Sequence, residues 1–521
     1  MEQGNDSLKY IGHESIAEGL SEFDVCLIVE GCYPFVAGGV SSWLDWLMRT
    51  QPDLNFAVIA IVAGTETALQ PRYEFPENLR YFSIVKLHSN MPDHLYGFKL
   101  RPERRDELAA ALVSLLRNGR WDDFVTVNQI INCPRNGLSL AQLMNSRLNW
   151  DLICQTYNAL MPQASFLHFY WAWRALFGGM FAALKAPLPP AKVYHTISTG
   201  YAGLIAARAT IERGRPAAIT EHGIYTNERR IEILMADWIS DTVDKGIRLD
   251  DERIDLRDVW GMAFNAYARV CYEACEVITT LYVENQRLQQ NLGASAQKLR
   301  VIANGIKVER FEKLPVAGPE LPPTMGLIGR VVPIKDVKTY IGAAARVRDH
   351  IHNLQALIMG PTDEDPLYYQ ECLELVQELG LEGCVIFTGK VNIIDYLPRL
   401  HTMVLTSLSE AQPLVLLEAG AAGIPCVATD VGSCREILFG RDDDDRSLGV
   451  GGAITGLVAT DQIADAVSRL LVDEPLRRQQ GETLRQRVRR YYASDIASEK
   501  YAELYKSLCA RPTRSIPEKR K

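Results

Sequence analysis

The chain has 521 residues, 47% of them hydrophobic and 23% charged, which indicates a globular protein of two or more domains. Its formal net charge of -8 argues against nucleic acid as the main partner. The 11 cysteines show no metal-ligand spacing, and Cys271 and Cys275, one helical turn apart, are interpreted as buried thiols in a reducing cytosol.

The amino-terminal region predicts a strand, a glycine-rich loop and a helix. The opening segment MEQGNDSLKYIGHES is polar, so no signal peptide is predicted. An apolar run from Phe23 to Glu30 precedes the loop, and a helix follows from about Val40. Gly38 and Gly39 in this loop would let the backbone approach a phosphate or an acceptor closely, although an ordinary turn fits the spacing equally well.

From about residue 71 to residue 187 the strand and helix alternation fades, and charged and aromatic stretches predict a helical insertion. Within it, the apolar segment from Phe166 to Leu184 is about as long as the ~20 residues that span a membrane. Arg174 would then lie near the middle of the bilayer, and the strand and helix pattern resumes directly afterwards. A buried or docking helix is therefore favoured over a membrane span.

Two histidines are candidates for a site in the first half of the chain. His222 follows a predicted strand from Ala217 to Glu221, and loops at the carboxyl ends of parallel strands are where α/β sheets hold their ligands. A lone histidine is often only a hydrogen-bonded structural residue, and His195 is a second candidate of the same kind. We rank His222 first and His195 second, with Glu221 orienting His222 or an acceptor.

The chain is predicted to form two α/β domains joined by one linker. The first domain is predicted to comprise residues 1–302 and the second residues 324–493. The linker between them, residues 303–323, is rich in Pro and Gly, and residues 494–521 are predicted to form a helix with a basic, disordered tail. Alternating strands and helices in both domains imply parallel, doubly wound sheets. A ligand cleft is expected where the carboxyl ends of the two sheets face each other.

Arg330 and Lys335 follow the first predicted strand of the second domain in the pattern Gly-Arg-x4-Lys. A diphosphate leaving group gains negative charge as its bond to a sugar breaks, so two fixed cations at this place would lower the barrier. Arginine supplies a planar fork of donors and lysine a mobile point charge. The alternative is a pair of solvated surface cations at the start of a helix.

The segment SEAQPLVLLEAGAAGIP, from Ser409 to Pro425, places Glu410 and Glu418 on either side of Pro413. Because proline is favoured in the first turn of a helix, a helix is predicted to start near Pro413. Its N-terminus would attract an anion, and the two carboxylates would accept hydrogen bonds from sugar hydroxyls. A nucleotide sugar has this layout. The alternative is one ordinary helix carboxylate and one exposed loop acid, but an unpaired Glu418 on an apolar helix would be costly.

Two acidic runs are interpreted as exposed loops. Asp363, Glu364 and Asp365 form an Asp-x-Asp pattern of the kind that can hold a divalent metal, but flanking prolines favour an exposed acidic turn. The run from Asp442 to Asp445 is likewise interpreted as a solvated loop.

Three motifs together resemble a known family. Glu-x7-Glu with its Ala/Gly-rich helix and the following Thr-Asp-Val-Gly looks like the donor site of the retaining glycosyltransferases of family 4, which have the GT-B fold. The segments EGCYPFVAGGVSSWL and TEHGIYTNER narrow the resemblance to the cytosolic glycosyltransferases of Pel (pellicle) exopolysaccharide synthesis. The resemblance covers nearly the whole chain and implies a fold of two Rossmann-like domains facing across a cleft.

The resemblance also implies roles for individual residues. Arg330 and Lys335 would bind the donor pyrophosphate, Glu418 the ribose hydroxyls and Glu410 the 3- and 4-hydroxyls of the hexose. His222 would lie beside the donor sugar, and the glycine loop would face the cleft. The backbone of the segment Ala411, Gln412, Pro413 and Leu414 would also contact the donor. The strand-end loop with Phe387, Gly389 and Lys390 would receive the base of the donor, although an ordinary strand exit fits these residues equally well.

The function that the resemblance implies is the transfer of a hexose from a UDP-sugar, UDP-glucose or a UDP-N-acetylhexosamine, to a growing exopolysaccharide. The family needs no metal or other cofactor and no protein nucleophile, because the leaving phosphate itself deprotonates the acceptor. A cytoplasmic enzyme of this kind would associate with inner-membrane components of a synthase complex. A UDP-sugar 2-epimerase of the same fold and a non-catalytic assembly subunit are the alternatives.

Overall fold

The structure is a computed structural model that describes residues 22–64, 69–87, 100–235 and 254–514. The polar opening segment, most of the stretch from residue 237 to residue 258 and the predicted disordered tail beyond residue 514 lie outside the described residues. The chain divides into two compact units. The first comprises residues up to Thr280, Gln286–Arg300 and the chain from Tyr501, and the second comprises Leu281–Asn285 and Val301–Lys500.

The first unit contains a seven-stranded sheet whose order is β3-β2-β1-β4-β5-β6-β7. Its first six strands pair in parallel. The apolar residues of the central strands are buried on both faces, as expected when helices cover a parallel sheet on both sides. The strands are β1 (Phe23–Glu30), β2 (Phe56–Val62), β3 (Leu79–Lys86), β4 (Ala191–Thr196), β5 (Ala217–Glu221), β6 (Cys275–Thr280) and β7 (Leu299–Val301).

Helices of the first unit surround this sheet and also form the predicted insertion. The helices are α1 (Gly39–Arg49), α2 (Pro102–Asn118), α3 (Trp121–Ile131), α4 (Leu140–Asn145), α5 (Arg147–Leu160), α6 (Phe166–Lys185), α7 (Tyr201–Arg213), α8 (Tyr225–Met235), α9 (Leu256–Ala274) and α10 (Val283–Asn291), the last divided between the two units. Helices α2 to α6 lie between β3 and β4, which confirms a helical insertion.

The range given to the insertion was wrong at its start, because β3 lies within it. This strand is at the edge of the sheet, and most of its residues are only partly buried or exposed. An edge strand with Arg80 and Lys86 lacks the apolar run that predicts a buried strand. Helix α6 packs in the core, with Trp173 fully buried, so the predicted buried helix is confirmed. Among the described residues, no helix is both long and apolar enough to cross a membrane.

The second unit contains a six-stranded parallel sheet whose order is β10-β9-β8-β11-β12-β13. Five of its strands were predicted, while β13 was missed because it is four residues long and begins with glycine. The strands are β8 (Thr324–Ile328), β9 (Gln355–Met359), β10 (Val385–Gly389), β11 (Thr402–Leu405), β12 (Cys426–Thr429) and β13 (Gly452–Thr455).

The remaining helices cover the second sheet, and the last of them enters the first unit. They are α11 (Val337–Arg348), α12 (Pro366–Glu378), α13 (Ile393–Tyr396), α14 (Leu414–Ala421), α15 (Cys434–Phe439), α16 (Asp443–Arg446), α17 (Thr460–Val472), α18 (Glu474–Tyr491) and α19 (Ser494–Cys509). The part of α19 from Tyr501 belongs to the first unit, where Tyr501 and Tyr505 are buried.

The interpretation of residues 442–445 as a solvated loop was wrong for its last residue. Asp445 is buried and its Oδ1 lies 2.6 Å from Nε of the equally buried Arg487. Arg487 also donates to the backbone oxygens of Leu438 and Gly449, at 2.8 and 2.7 Å. The sequence could not show this pairing because the partners are 42 positions apart. Cys271 and Cys275 are buried free thiols, as predicted.

Candidate functional site

Most of the predicted donor residues follow the carboxyl ends of strands in the second sheet. The strand order of this sheet reverses between β8 and β11, and loops at such a switch point form the crevice in which open α/β sheets bind ligands. Arg330 and Lys335 follow β8, and Glu410 follows β11. Three residues chosen from two separate sequence motifs therefore lie on the two loops of one switch point.

An ion pair joins these two loops. Lys335 Nζ lies 2.5 Å from Glu410 Oε1, and Ser407 Oγ donates to the same oxygen at 2.7 Å. The backbone adds to the connection, because Leu408 N donates to the oxygen of Ile334 at 2.9 Å. The side chains of Lys335 and Glu410 remain 22% and 15% exposed, so solvent and a ligand can reach the pair.

Arg330 does not join this ion pair. Its guanidinium pairs instead with Glu364, and both side chains are about half exposed. Asp365, in the same acidic run, accepts a hydrogen bond from the backbone N–H of Tyr368 and caps α12. The acidic turn thus balances a cation and caps a helix. Within the described ranges, no group of three or more His, Cys, Asp or Glu side chains could hold a metal ion.

Helix α14 begins where the sequence predicted, with Pro413 as its N-cap and Leu414 as its first residue. The side chain of Gln412 faces inward: its Nε2 donates to Asn304 O at 3.0 Å and its Oε1 accepts from Asn304 N at 2.8 Å. Any contact of Gln412 with a sugar donor is therefore restricted to its backbone. The first N–H groups of α14, which a helix leaves without intrahelical partners, follow this loop.

The loop that carries Glu410 rests on the turn after β12. Ser433 N donates to Ala411 O at 2.9 Å. Gly432 has φ of +52°, and a Cβ at this position would collide with the backbone oxygens of Glu410 and Ala411. Glycine is therefore required in the Thr-Asp-Val-Gly segment for two reasons, the left-handed backbone and the close approach of the Glu410 loop.

Glu418 lies within α14 and is partly buried. Burial raises the pKa of its carboxyl to about 7, and the charge of Arg310 opposes the shift. No residue in the described part of the chain donates a hydrogen bond to its side chain. A carboxyl that is partly desolvated and has no hydrogen-bond donor from the protein is a candidate to accept hydrogen bonds from ligand hydroxyls.

The predicted base-binding loop lies further along the same edge. Gly389 ends β10 with φ of +68°, its oxygen accepts from Gly360 N at 2.9 Å, and Lys390 is exposed after it. The ring of Phe387 packs against Tyr369. Strand β9 lies between β10 and β8, and within the described residues no hydrogen bond or ion pair joins this loop to Lys335 or Glu410.

In the first unit, His222 follows β5 and is partly buried. Its ring packs edge-on against Trp43 of α1, with centroids 4.7 Å apart, and burial lowers its pKa to about 4. Nε2 of His222 has no hydrogen-bond partner among the residues described. A Cβ on the neighbouring Gly223 would meet the carboxylate of Glu228, which would have to move.

His195 and Glu221 serve the core instead. Both are fully buried. Nδ1 of His195 lies 2.7 Å from the Tyr505 hydroxyl, and Nε2 lies 2.9 Å from Thr220 Oγ1. Glu221 Oε2 accepts from Tyr272 and Gln289 at 2.7 and 2.8 Å, and burial raises its pKa to about 7. Glu221 is therefore bonded to core groups and not to His222.

Gly38 ends the exposed loop between β1 and α1, and Gly39 is the exposed first residue of α1. Gly38 has extended backbone, and no protein atom lies within 4 Å of a Cβ built on either glycine. Neither the backbone nor the packing of this unit explains the two glycines.

Sequence reasoning missed Glu30, which closes β1 and accepts hydrogen bonds from Ser198 and Tyr225. The available signal was a charged residue at the end of an apolar strand, directly before the glycine-rich loop. It also missed Ser407, which donates to Glu410.

Residues 23–297 match the family model described as "Domain of unknown function (DUF3492)", and residues 322–473 match that of "Glycosyl transferases group 1". The chain is 32% identical over 173 residues to N-acetyl-alpha-D-glucosaminyl L-malate synthase of Bacillus anthracis, covering 33% of this chain and 42% of that protein. It is 31% identical over 230 residues to an exopolysaccharide phosphotransferase of Streptomyces coelicolor, covering 43% and 22%. The chain thus spans less than half the length of either relative.

Among solved structures, the chain is similar to Anabaena HepE in complex with UDP and glucose, with 15% identity and a TM-score of 0.54 over 93% of this chain and all of that one. At this identity the likeness concerns the fold, and with the two Rossmann-like sheets it confirms the expected GT-B fold. The chain therefore belongs to the DUF3492 family, with the GT-B fold and a carboxy-terminal region of the group 1 glycosyl transferases.

Proposed function

We propose that the chain is a retaining glycosyltransferase that moves a hexose from a UDP-sugar to a growing glycan without a metal ion. The observation that carries the proposal is the ion pair of Lys335 and Glu410 across the switch point of the second sheet. A cation and a carboxylate side by side at a helix N-terminus match the adjacent diphosphate and sugar of such a donor.

Donor binding exchanges the protein's own ion pairs for contacts with the ligand. Lys335 leaves Glu410 and Arg330 leaves Glu364 as both cations turn to the diphosphate, and the N-terminus of α14 supplies N–H groups. Glu410, released from its cation, accepts hydrogen bonds from hexose hydroxyls. Glu418 accepts those of the ribose, for which its carboxyl has no competing donor.

The chemical step then needs charge stabilisation and alignment. The bond from the anomeric carbon to the diphosphate oxygen breaks, the acceptor oxygen bonds to the same face of that carbon, and the acceptor proton passes to the departing phosphate. Lys335 and Arg330 stabilise the negative charge that develops on the diphosphate. From the first unit, His222 and the loop with Gly38 and Gly39 are proposed to contact the sugars.

UDP-glucose and UDP-N-acetylhexosamines are the proposed donors, and a Pel-type exopolysaccharide is the proposed product. The UDP and glucose in the HepE complex support the proposed donors. The similarity to the exopolysaccharide phosphotransferase of Streptomyces coelicolor and the sequence resemblance support the proposed product. The proposal includes a cytoplasmic location and association with inner-membrane components of a synthase.

The test is UDP release from UDP-glucose and UDP-N-acetylglucosamine, with and without oligosaccharide acceptors and with and without EDTA. Proton NMR of the product gives the anomeric configuration. We expect an acceptor-dependent, EDTA-insensitive product with the donor's configuration. Loss of activity with EDTA would overturn the metal-free mechanism, and an epimerised nucleotide sugar formed without acceptor would identify a 2-epimerase instead.

A further inference from the structure

We propose that Glu30 is a positioning residue that holds the His222 turn in place across the switch point of the first sheet. The inference rests on the proposed function, because it assigns a purpose to a group that supports a proposed sugar contact. Glu30 ends β1, and the strand order of the sheet reverses between β1 and β4. Loops at this point are where an open α/β sheet places its ligand.

One carboxylate joins segments that follow three different strands. Oε1 of Glu30 accepts from the Tyr225 hydroxyl at 2.7 Å. Oε2 accepts from Ser198 Oγ at 3.1 Å and from the backbone N–H of Ala202 at 3.2 Å. Ser198 and Ala202 follow β4, and Tyr225 follows β5 at the start of α8. Glu30 thus connects the end of β1 to the segments that follow β4 and β5.

Tyr225 transmits this restraint to His222, because it is the first residue of α8 and follows the short connection from β5 that begins with His222. The Tyr225 ring packs so closely on Gly200 that a Cβ there would lie 2.6 Å from ring atoms. The Arg229 guanidinium lies over this ring, with its Cζ 5.1 Å from the ring centroid. Burial and the charge of Glu30 raise the pKa of Tyr225, so its hydroxyl stays protonated and donates.

The other side of the turn is fixed by Trp43, whose ring packs on His222. His222 therefore has a defined orientation, with packing from α1 and a hydrogen-bonded restraint from Glu30 through Tyr225. Its Nε2 nevertheless has no partner within the described part of the chain. An oriented ring with an unused nitrogen suits contact with a ligand, and loss of the orientation should reduce turnover more than donor binding.

The experiment compares Glu30→Gln, Tyr225→Phe and the double variant. Glutamine keeps the size of the side chain but cannot accept from donors on both sides. We expect kcat to fall about 10- to 100-fold in Glu30→Gln, the range for removing a group that orients a functional residue. The dissociation constant for UDP should stay within about twofold, since the proposed UDP contacts are in the second unit. The double variant should lose less than the product of the single losses.

The matched control is Asp24→Asn, in the same strand. Asp24 is also hydrogen-bonded, to Lys192 Nζ at 2.8 Å and Asn55 N at 2.9 Å, but it lies at the opposite end of β1. It should keep wild-type kcat. The positioning role would be overturned if Glu30→Gln kept wild-type kcat. It would also be overturned if kcat and the melting temperature fell equally in Glu30→Gln and Asp24→Asn.

A second readout is independent of activity. Hydrogen exchange of the amides from residue 222 to residue 230 should become faster in Glu30→Gln and stay unchanged in Asp24→Asn. If the wild type transfers no sugar, the proposed function fails and exchange alone decides the restraint. Unchanged exchange in Glu30→Gln would then refute it.

Discussion

The two sheets of this protein each have a switch point, and in each case one carboxylate connects the loops on either side of it. In the second sheet Glu410 pairs with the ammonium of Lys335. In the first sheet Glu30 accepts from two hydroxyls and a backbone N–H. The carboxylates come from opposite sides of their switch points, since Glu30 ends β1 and Glu410 follows β11. The contact of Glu410 with Lys335 is between full charges, whereas Glu30 has neutral donors.

This difference separates binding from positioning. An ion pair near solvent is worth little to stability and can be exchanged for a charged ligand. A carboxylate that accepts several hydrogen bonds from different loops fixes their geometry and has no cation to release. The second sheet is thus suited to bind a diphosphate sugar, and the first to hold a side chain in a set orientation.

The largest effect is expected from a contrast within the second unit. Asp445→Ala leaves Arg487 buried without its counter-charge and should lower the free energy of unfolding by about 3–5 kcal/mol. Glu410→Ala removes a partly buried pair that solvent still reaches and should cost less, about 1 kcal/mol. Urea denaturation of both variants measures the difference. Equal losses would mean that the switch-point pair is structural.

Lys335→Ala should have the next largest effect. Removing a cation that stabilises the departing diphosphate should lower kcat about 10²- to 10³-fold, with a smaller change in KM. Lys338→Ala is the matched control, because Lys338 is a nearby exposed lysine paired with Glu371 at 2.7 Å. Similar kcat values for the two variants would remove Lys335 from the mechanism.

The proposed donor-side residues could be selected from the sequence because each is marked by a local feature. Arg330 follows a glycine after an apolar strand, and Glu410 and Glu418 flank the proline that begins α14. Glu30 was not readable in the same way. Its partners Ser198 and Tyr225 are 168 and 195 positions away, and only the folded sheet brings them together.

The sheets themselves were largely predictable, because buried parallel strands are apolar runs. The exceptions were the edge strand β3, which carries Arg80 and Lys86 and is mostly only partly buried or exposed, and the four-residue β13. The partner of Asp445 was also hidden, since a charge run shows nothing of a distant arginine. Sequence thus selects candidate ligand-binding charges from local features, but it does not show groups that restrain one another across the fold.

Glu418 provides a pH test of the second site. Its folded-state pKa of about 7 lies above the ordinary value of 4.5, so the folded state binds the proton more tightly than the unfolded state. Its contribution to stability is therefore full below about pH 4.5 and is lost as pH rises to about 7. Glu418→Gln should melt above the wild type at pH 8, with the gap closing towards pH 5. Parallel melting curves at all pH values would contradict this.

The smallest effect is expected at Glu364, which competes with the diphosphate for Arg330. Both side chains are about half exposed, so Glu364→Gln should tighten UDP binding only about two- to fivefold. The gain should shrink at high salt. Asp363→Asn, its neighbour, is the control and should change UDP binding less. Weaker binding in Glu364→Gln would show that this carboxylate assists the ligand.

Calorimetric titration of UDP into the wild type and Glu418→Ala at pH 8 tests the central claim, that the second sheet carries a uridine diphosphate site. The account predicts that wild type binds UDP and that Glu418→Ala binds it at least about tenfold more weakly, because a charged acceptor of ribose hydroxyls is lost. Equal affinity in the two proteins, or no binding by the wild type, would contradict it.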